Sequence, residues 1–412
     1  MKVSILTLGC KVNQSESAII EGSLNKLGWS IVGLSEHPDY CVVNTCTVTA
    51  KSDYQSRQLI RRAARTGAKV IVTGCYSQLR PDEIRHIKGV DIIIDNNKKL
   101  NIINMLSDNR VSITFSYTSR SRPYLKIQDG CNLSCTYCVV PMARGRSRSL
   151  EVSEVIRRAK EIEAAGYNEI VLTGIHLGAY GYDLKPKAKL SKLIGTLLKE
   201  TKNIRIRLSS VEIKELDAEV LELFQEKRIC KHIHLPLQSG DDTILRLMNR
   251  MYTSRDYVIT IENIIKRVPD VAIGTDVIVG FPGEGDKEFL NTKRLLDSIP
   301  LAYMHIFPFS PRPNTLASKM SLQNTTTVKR ERLSELKALN AEKKMAYMSS
   351  QINKTLDVII EGQGINNIST GTSSNYLKVK VLSNGYPKGA LVRVRASGIE
   401  GDLVRGDLIE KL

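Results

Sequence analysis

Residues 124–138 read YLKIQDGCNLSCTYC. The run YLKIQ reads as a strand, and just behind it Cys131, Cys135 and Cys138 fall within eight residues. A structural zinc site needs four protein ligands. The interval from Cys131 to Cys138 holds no fourth Cys or His, and the next downstream histidine is His176. A Cys3His zinc site and an iron–sulfur cluster are the two thiolate sites open to such a set. Three thiolates on a four-iron cluster leave one iron open, and an open metal position suits catalysis, whereas structural sites are usually closed.

The residues C-terminal to this stretch repeat its strand signal. Five further strand-like runs are spaced along the chain: EIVLTGI (169–175), IRIRLSS (204–210), HIHLPL (232–237), VAIGTDVIVG (271–280) and YMHIFPF (303–309). Helical patterns fall between them at about 153–165, 189–200, 216–226, 254–267 and 286–297, the first with Ser153 as its expected cap. Six strand–helix units predict an α/β architecture with a partial (β/α)6 TIM-like barrel, whose chemistry would sit at the C-terminal ends of its strands. The three cysteines lie in the loop that leaves the first of those ends. A polar, lysine-rich helix at about 325–350 then reads as a connector packed across the barrel.

The N-terminal part alternates in the same way. VSILTL (3–8), YCVVN (40–44), KVIVT (69–73) and DIII (91–94) read as strands of a parallel sheet, with helices at about 15–27 and 52–65. Cys10, Cys46 and Cys75 each stand where such a strand ends, in LTLGC, VVNTC and VIVTGC. Ligands of open α/β sheets bind outside the carboxyl ends of strands, so these three can converge. Cys41 and Cys230 read instead as ordinary buried thiols. The last 60 residues, with TLDVIIEGQG, NYLKVKVL and ALVRVRASGIEGDLVRGDLIE, predict a small all-β barrel with Arg393 and Arg395 on one face.

The net charge is +17, and residues 96–150 carry nine Lys+Arg against two Asp+Glu. A solvated linker and a nucleic-acid surface are both readings of that segment. Its arginines include Arg144, Arg146 and Arg148, just after the clustered cysteines. The absence of a long apolar run speaks against a membrane span, and the N-terminus has no small-residue cleavage site, so a cytoplasmic setting is expected. There, cysteines serve metals or catalysis more often than disulfides.

Cys131, Cys135 and Cys138, spaced C-x3-C-x2-C with Tyr137 before the last, resemble the signature of radical S-adenosylmethionine enzymes. TLGCKVNQSE (7–16), NTCTVT (44–49), TGC (73–75) and CNLSCTYCVVPMARGRSRS (131–149) together resemble the methylthiotransferases of that superfamily. The resemblance implies three domains: an N-terminal α/β domain at 1–115, a radical barrel with connector helix at 116–350, and a TRAM RNA-binding β-barrel at 351–412. It implies two four-iron–four-sulfur clusters, an auxiliary one on Cys10, Cys46 and Cys75 and a radical one on Cys131, Cys135 and Cys138. S-adenosylmethionine would bind the open iron of the second, and its reductive cleavage would give a 5′-deoxyadenosyl radical. Tyr137, Thr173, Gly174, Ser209, Gln238 and Gly280 are implied to line the cofactor site, and DVIVGFPGE (276–284) to meet its adenine edge. Arg144, Arg146, Arg148, Arg393 and Arg395 are candidate RNA contacts, and His176 a candidate contact to the modified nucleotide.

GCKVNQSE and LTGIHLGAYG resemble the branch acting on N6-threonylcarbamoyladenosine at tRNA position 37. The isopentenyladenosine branch more usually reads GCQMN, with Gln-Asn where this chain has Ile175-His176, and the ribosomal-protein branch reads GCPKN. Ser15 departs from the aromatic residue common there. The reaction implied is methylthio transfer to C2 of the adenine, with one S-adenosylmethionine methylating a cluster-held sulfur and another supplying the radical. tRNA, presented at its anticodon loop, would be the partner, with an electron donor such as flavodoxin or ferredoxin, and the enzyme would act as a monomer. Alternatives are another methylthiotransferase substrate, isopentenyladenosine-37 tRNA or a ribosomal protein, and a non-catalytic zinc-containing RNA-binding protein.

Overall fold

The structure, a computed structural model, describes residues 1–107, 120–363, 368–382 and 385–412. The boundary expected at 115/116 lies outside these residues. The chain forms two compact units: Met1–Ser119 with Gln128–Arg148 and Ser310–Ser318, and Arg120–Ile127 with Ser149–Phe309 and Lys319–Leu412.

In the first unit the strands Ser30–Ile31, Lys2–Thr7, Tyr40–Thr45, Lys69–Gly74 and Ile92–Ile93 lie side by side in that order, all parallel. The apolar runs are continuous because both faces are covered. Val3, Val42 and Ile71 pack with Ile19, Ile20 and Leu24 of the helix Lys11–Lys26. Cys41, Val43, Val70 and Val72 point the other way, against Ile60 and Ala63 of the helix Ala50–Ala64. The first helix starts four residues earlier than expected, at Lys11 with Cys10 as its N-cap, because its first turn is polar and shows no apolar period. The second is fixed by Thr49, whose hydroxyl accepts from the Ser52 amide at 3.1 Å.

In the second unit six parallel strands succeed one another as expected. Arg205–Leu208, Glu169–Thr173 and Tyr124–Lys126 form one sheet, and His232–His234, Ala272–Val279 and Tyr303–Pro308 another. A parallel bridge between Ile206 and Ile229 joins them, with the Cys230 amide donating to the Ile206 carbonyl at 2.9 Å. Ser153 is not the cap of the helix after it: Val152–Ala164 begins one residue before Ser153, with Glu151 at the N-cap, so Ser153 sits within the first turn. A short helix, Asp242–Leu247, went unread in the sequence because six residues are too few to show a period; it is capped by Asp241, whose carboxylate accepts from the Thr243 and Ile244 amides. The connector helix Thr326–Ser350 packs on the strand Tyr303–Pro308 and the helix Asp286–Ser298.

The C-terminal residues close a five-stranded barrel in the order Thr355–Gln363, Ile368–Ser373, Lys378–Leu382, Leu403–Lys411, Leu391–Glu400, as a TRAM-like barrel requires. Val358, Ile360, Val379, Val392, Val394 and Val404 alternate into its core. The strand Ile368–Ser373 was not legible in the sequence because ISTGTS has almost no apolar content. The barrel's Ser373–Tyr376 turn meets the larger barrel: Arg207 donates to the Ser373 and Ser374 carbonyls, each at 2.9 Å, and Tyr376 stacks on His232 with centroids 4.1 Å apart.

Candidate functional site

Cys10, Cys46 and Cys75 converge. A Cβ placed on Gly9 would lie 2.9 Å from Cys46 Cβ and 3.1 Å from its Sγ, so the loop before Cys10 rests directly on Cys46. Gly74, with φ +105°, lets the next strand end approach: a Cβ there would come 2.4 Å from the Thr45 carbonyl oxygen. Two buried asparagines tie the strand ends together. Asn13 donates to the Leu8 carbonyl at 2.8 Å and to that of Thr45 at 2.9 Å, while Asn44 donates to the Asn13 carbonyl at 2.9 Å. Cys10 is exposed at the N-terminus of a 16-residue helix. Burial raises the Cys46 thiol and pushes that of Cys75 up to about 11, opposed at Cys75 by Arg144 and Lys99.

Cys131, Cys135 and Cys138 belong to the same unit and are partly exposed. The loop returns on itself: the Cys131 amide donates to the Gly145 carbonyl at 3.1 Å and the Cys138 amide to the Cys135 carbonyl at 3.1 Å. Gly130, φ +69°, makes that return possible, since a Cβ there would fall 2.1 Å from the Arg146 carbonyl oxygen. Tyr137 is half-buried within the loop.

The other candidates sit at strand ends of the second unit. Thr173 closes its strand with Gly174 next. The Ser209 amide donates to the Leu172 carbonyl at 3.0 Å, and its buried hydroxyl has no hydrogen-bond partner among the described residues. Gln238, at φ 69°, pairs with the strand Ala272–Val279, and the Gly280 amide donates to the Glu284 carboxylate at 2.7 Å. Burial raises the Glu284 carboxyl, and Arg332 of the connector helix holds it at 2.8 Å. His176 lies 2.5 Å from the Glu215 carboxylate.

The interior of the larger barrel is polar, which sequence reading missed. Glu169, fully buried, meets Arg205 at 2.6 Å, Arg207 at 2.7 Å and Arg122 at 3.5 Å. Further along, the Tyr303 hydroxyl bridges His232 and His234 at 2.8 and 2.9 Å, and Asp276 takes His234 at 3.0 Å and His305 at 3.2 Å. The signal was there in IRIRL and HIH, where charged or titratable residues alternate onto one face of strands otherwise apolar.

The five candidate RNA arginines separate by exposure. Arg144 is only 3% exposed. It is bonded to Glu16 at 3.1 Å, to Asp129 at 2.8 Å, and to Asn13, and so offers no face to a phosphate. A run of arginines carries no period, so the sequence could not show that one of them turns inward on the short helix Val140–Arg144. Arg146, Arg148 and Arg395 are exposed, and Arg393 is paired with Asp357 and Glu410, each at 2.8 Å. Among the described residues no helix is long and apolar enough to cross a membrane.

The Radical SAM superfamily matches residues 125–296, and the uncharacterized protein family UPF0004 matches residues 2–95. Among solved structures, the radical S-adenosylmethionine methyltransferase TsrM from Kitasatospora setae overlays with a TM-score of 0.56 at 13% identity, over 77% of each chain. That likeness speaks for the fold alone. The class is thus that of radical S-adenosylmethionine enzymes, which implies a four-iron–four-sulfur cluster and S-adenosylmethionine. The donor set fits: three partly exposed thiols, Cys131, Cys135 and Cys138, stand on one loop.

Full-length similarity narrows the class. The threonylcarbamoyladenosine tRNA methylthiotransferase MtaB of Aquifex aeolicus is 38% identical over 96% of this chain and 100% of its own. Its namesake in Bacillus subtilis is 38% identical over 95% and 96%. The tRNA-2-methylthio-N(6)-dimethylallyladenosine synthase of Fervidobacterium nodosum is 29% identical over 99% of each chain. The chain belongs to the radical S-adenosylmethionine methylthiotransferase family.

Proposed function

We propose that the protein transfers a methylthio group to C2 of N6-threonylcarbamoyladenosine at position 37 of tRNA. The observation that carries this reading is the pair of cysteine trios within one unit, on a chain alike over its whole length to relatives of that name. The 29% identity to a dimethylallyladenosine enzyme, against 38% to the threonylcarbamoyl relatives, favours the threonylcarbamoyl substrate.

In this reading Cys131, Cys135 and Cys138 hold the radical cluster, and Cys10, Cys46 and Cys75 hold an auxiliary one. The first supplies the one-electron chemistry that an unactivated aromatic C–H needs, and the second a soft-metal holder for the sulfur to be inserted. Tyr137, Thr173, Gly174, Ser209, Gln238 and Gly280 position the cofactor. A single-stranded anticodon loop can splay its base out of the stack for such chemistry. Arg146, Arg148, Arg393 and Arg395 serve its phosphates, with the C-terminal barrel as the RNA-binding domain. The protein works as a cytoplasmic monomer served by a flavodoxin- or ferredoxin-type donor.

Nucleoside analysis of tRNA from a strain lacking the gene tests the substrate. Loss of the methylthiolated threonylcarbamoyl nucleoside, restored by the gene, is the expected result. Its persistence with loss of the isopentenyl product would move the enzyme to the other branch.

A further inference from the structure

Two buried cations stand beside the auxiliary trio. Arg144 and Lys99 are 3% and 2% exposed and share the carboxylate of Glu16. Each is anchored near the cysteines by geometry. Glu16 lies on the helix that Cys10 caps, and Arg144 also bonds Asn13, whose amide nitrogen lies 3.0 Å from the Cβ that Gly9 would carry. The short helix that ends at Arg144 packs on the short helix that begins at Cys75. Both cations act on the Cys75 thiol, and Arg144 in turn feels Cys75 and Cys10. Arg144 also lies six residues after Cys138 and bonds Asp129, two residues before Cys131.

Buried charges are costly unless they are balanced at close range. Glu16 and Asp129 supply two carboxylates, but Asp129 meets Arg144 alone among these cations and also lies 3.9 Å from Arg148. Thiolates of a bound cluster would add further negative charge beside the same two cations.

We propose that Arg144, assisted by Lys99, is a positioning residue linking the two cysteine sites: its guanidinium offsets the negative charge of the auxiliary cluster, while its bonds to Asn13, Glu16 and Asp129 hold the radical-cluster loop against the auxiliary one. This rests on the auxiliary-cluster reading above. Because reduction adds an electron to an already anionic cluster, a buried cation beside it raises the reduction potential, charge and hydrogen bonding being among the features that tune such clusters.

The test uses the full chain with both clusters reconstituted anaerobically. Iron and sulfide are counted, and midpoint potentials of both clusters are followed by electron paramagnetic resonance, for the wild type and the variants Arg144→Gln, Arg144→Lys and Lys99→Met. A wild type with about four irons rather than about eight would remove the auxiliary cluster itself, and is separable from failure of the proposal. Given two clusters, Arg144→Gln is expected to shift the auxiliary potential negative and leave the radical one in place. Arg144→Lys should restore most of that shift, and Lys99→Met should move the potential the same way. An auxiliary potential unchanged in both Arg144→Gln and Lys99→Met, whatever happens to melting temperature, overturns the electrostatic role. Should Arg144→Gln fail to fold, Arg144→Lys and Lys99→Met decide the matter.

Discussion

Glu169→Gln is the most direct probe of the polar barrel interior. Glu169 is 0% exposed and meets three arginines, of which Arg207 and Arg205 are themselves 0% and 4% exposed. The substitution keeps the shape and removes the charge, leaving buried guanidiniums uncompensated. Breaking a buried pair from one side costs about 3–5 kcal/mol, a large share of the ~5–15 kcal/mol typical of a domain. The damage should spread to the small barrel, because Arg207 also holds the Ser373 and Ser374 carbonyls. Hydrogen exchange read by mass spectrometry on peptides covering 169–173, 205–208 and 373–376 measures this locally, which suits a multi-unit chain that need not unfold in one step. Where exchange reports local opening, roughly two to four decades less protection is expected from that cost. Glu169→Gln/Arg207→Met should recover part of it, since one unpaired charge leaves with its partner. Protection falling by less than about fivefold, equivalent to about 1 kcal/mol, would refute the claim that this ion cluster supports the barrel. Burial raises the Glu169 carboxyl, but Arg207, Arg205 and Arg122 outweigh it and hold the folded value well below the ordinary one. The contribution is therefore complete above the unfolded pKa of about 4.3 and is lost only as pH falls below that toward the folded value. Barrel protection should hold at pH 5 and weaken in stronger acid.

Cys131→Ala should abolish reductive cleavage of S-adenosylmethionine and lower iron by about four per chain, while far-ultraviolet circular dichroism stays unchanged; retained cleavage would exclude the assigned radical site. Gly74→Ala places a Cβ 2.4 Å from the Thr45 carbonyl at φ +105° and should cost at least about 1–3 kcal/mol. Urea unfolding monitored by the fluorescence of Trp29, the chain's one tryptophan, reports on that unit; an unchanged midpoint would contradict the close approach of the strand ends. Cys230→Ala, which removes a buried thiol 3.4 Å from Glu169, should cost about 1 kcal/mol and leave cofactor cleavage unaffected. Arg146→Gln and Arg395→Gln should each weaken tRNA binding and reduce the salt slope by about one, measured by filter binding across salt concentrations; unchanged slopes would remove these residues from the RNA surface.

Local pattern was sufficient for much of this molecule. The alternation of β-branched runs with amphipathic stretches determined the parallel sheet and the six strand–helix units, because each strand buried on both faces must be continuously apolar. The spacing of Cys131, Cys135 and Cys138 and the strand-end places of Cys10, Cys46 and Cys75 singled out these six thiols, because a cysteine pattern needs no periodicity to be seen. What pairs with what across the chain was decided only by the tertiary structure. Glu169 lies on one strand, Arg205 and Arg207 on its neighbour and Arg122 ahead of a third, and Asn13, Asn44 and Gly74 meet only because three strand ends abut. Arg144 shows the difference most sharply. Among exposed neighbours it reads as one more phosphate contact, yet it turns inward to Glu16, 128 residues away, since burying an arginine is favourable only where a distant carboxylate is waiting.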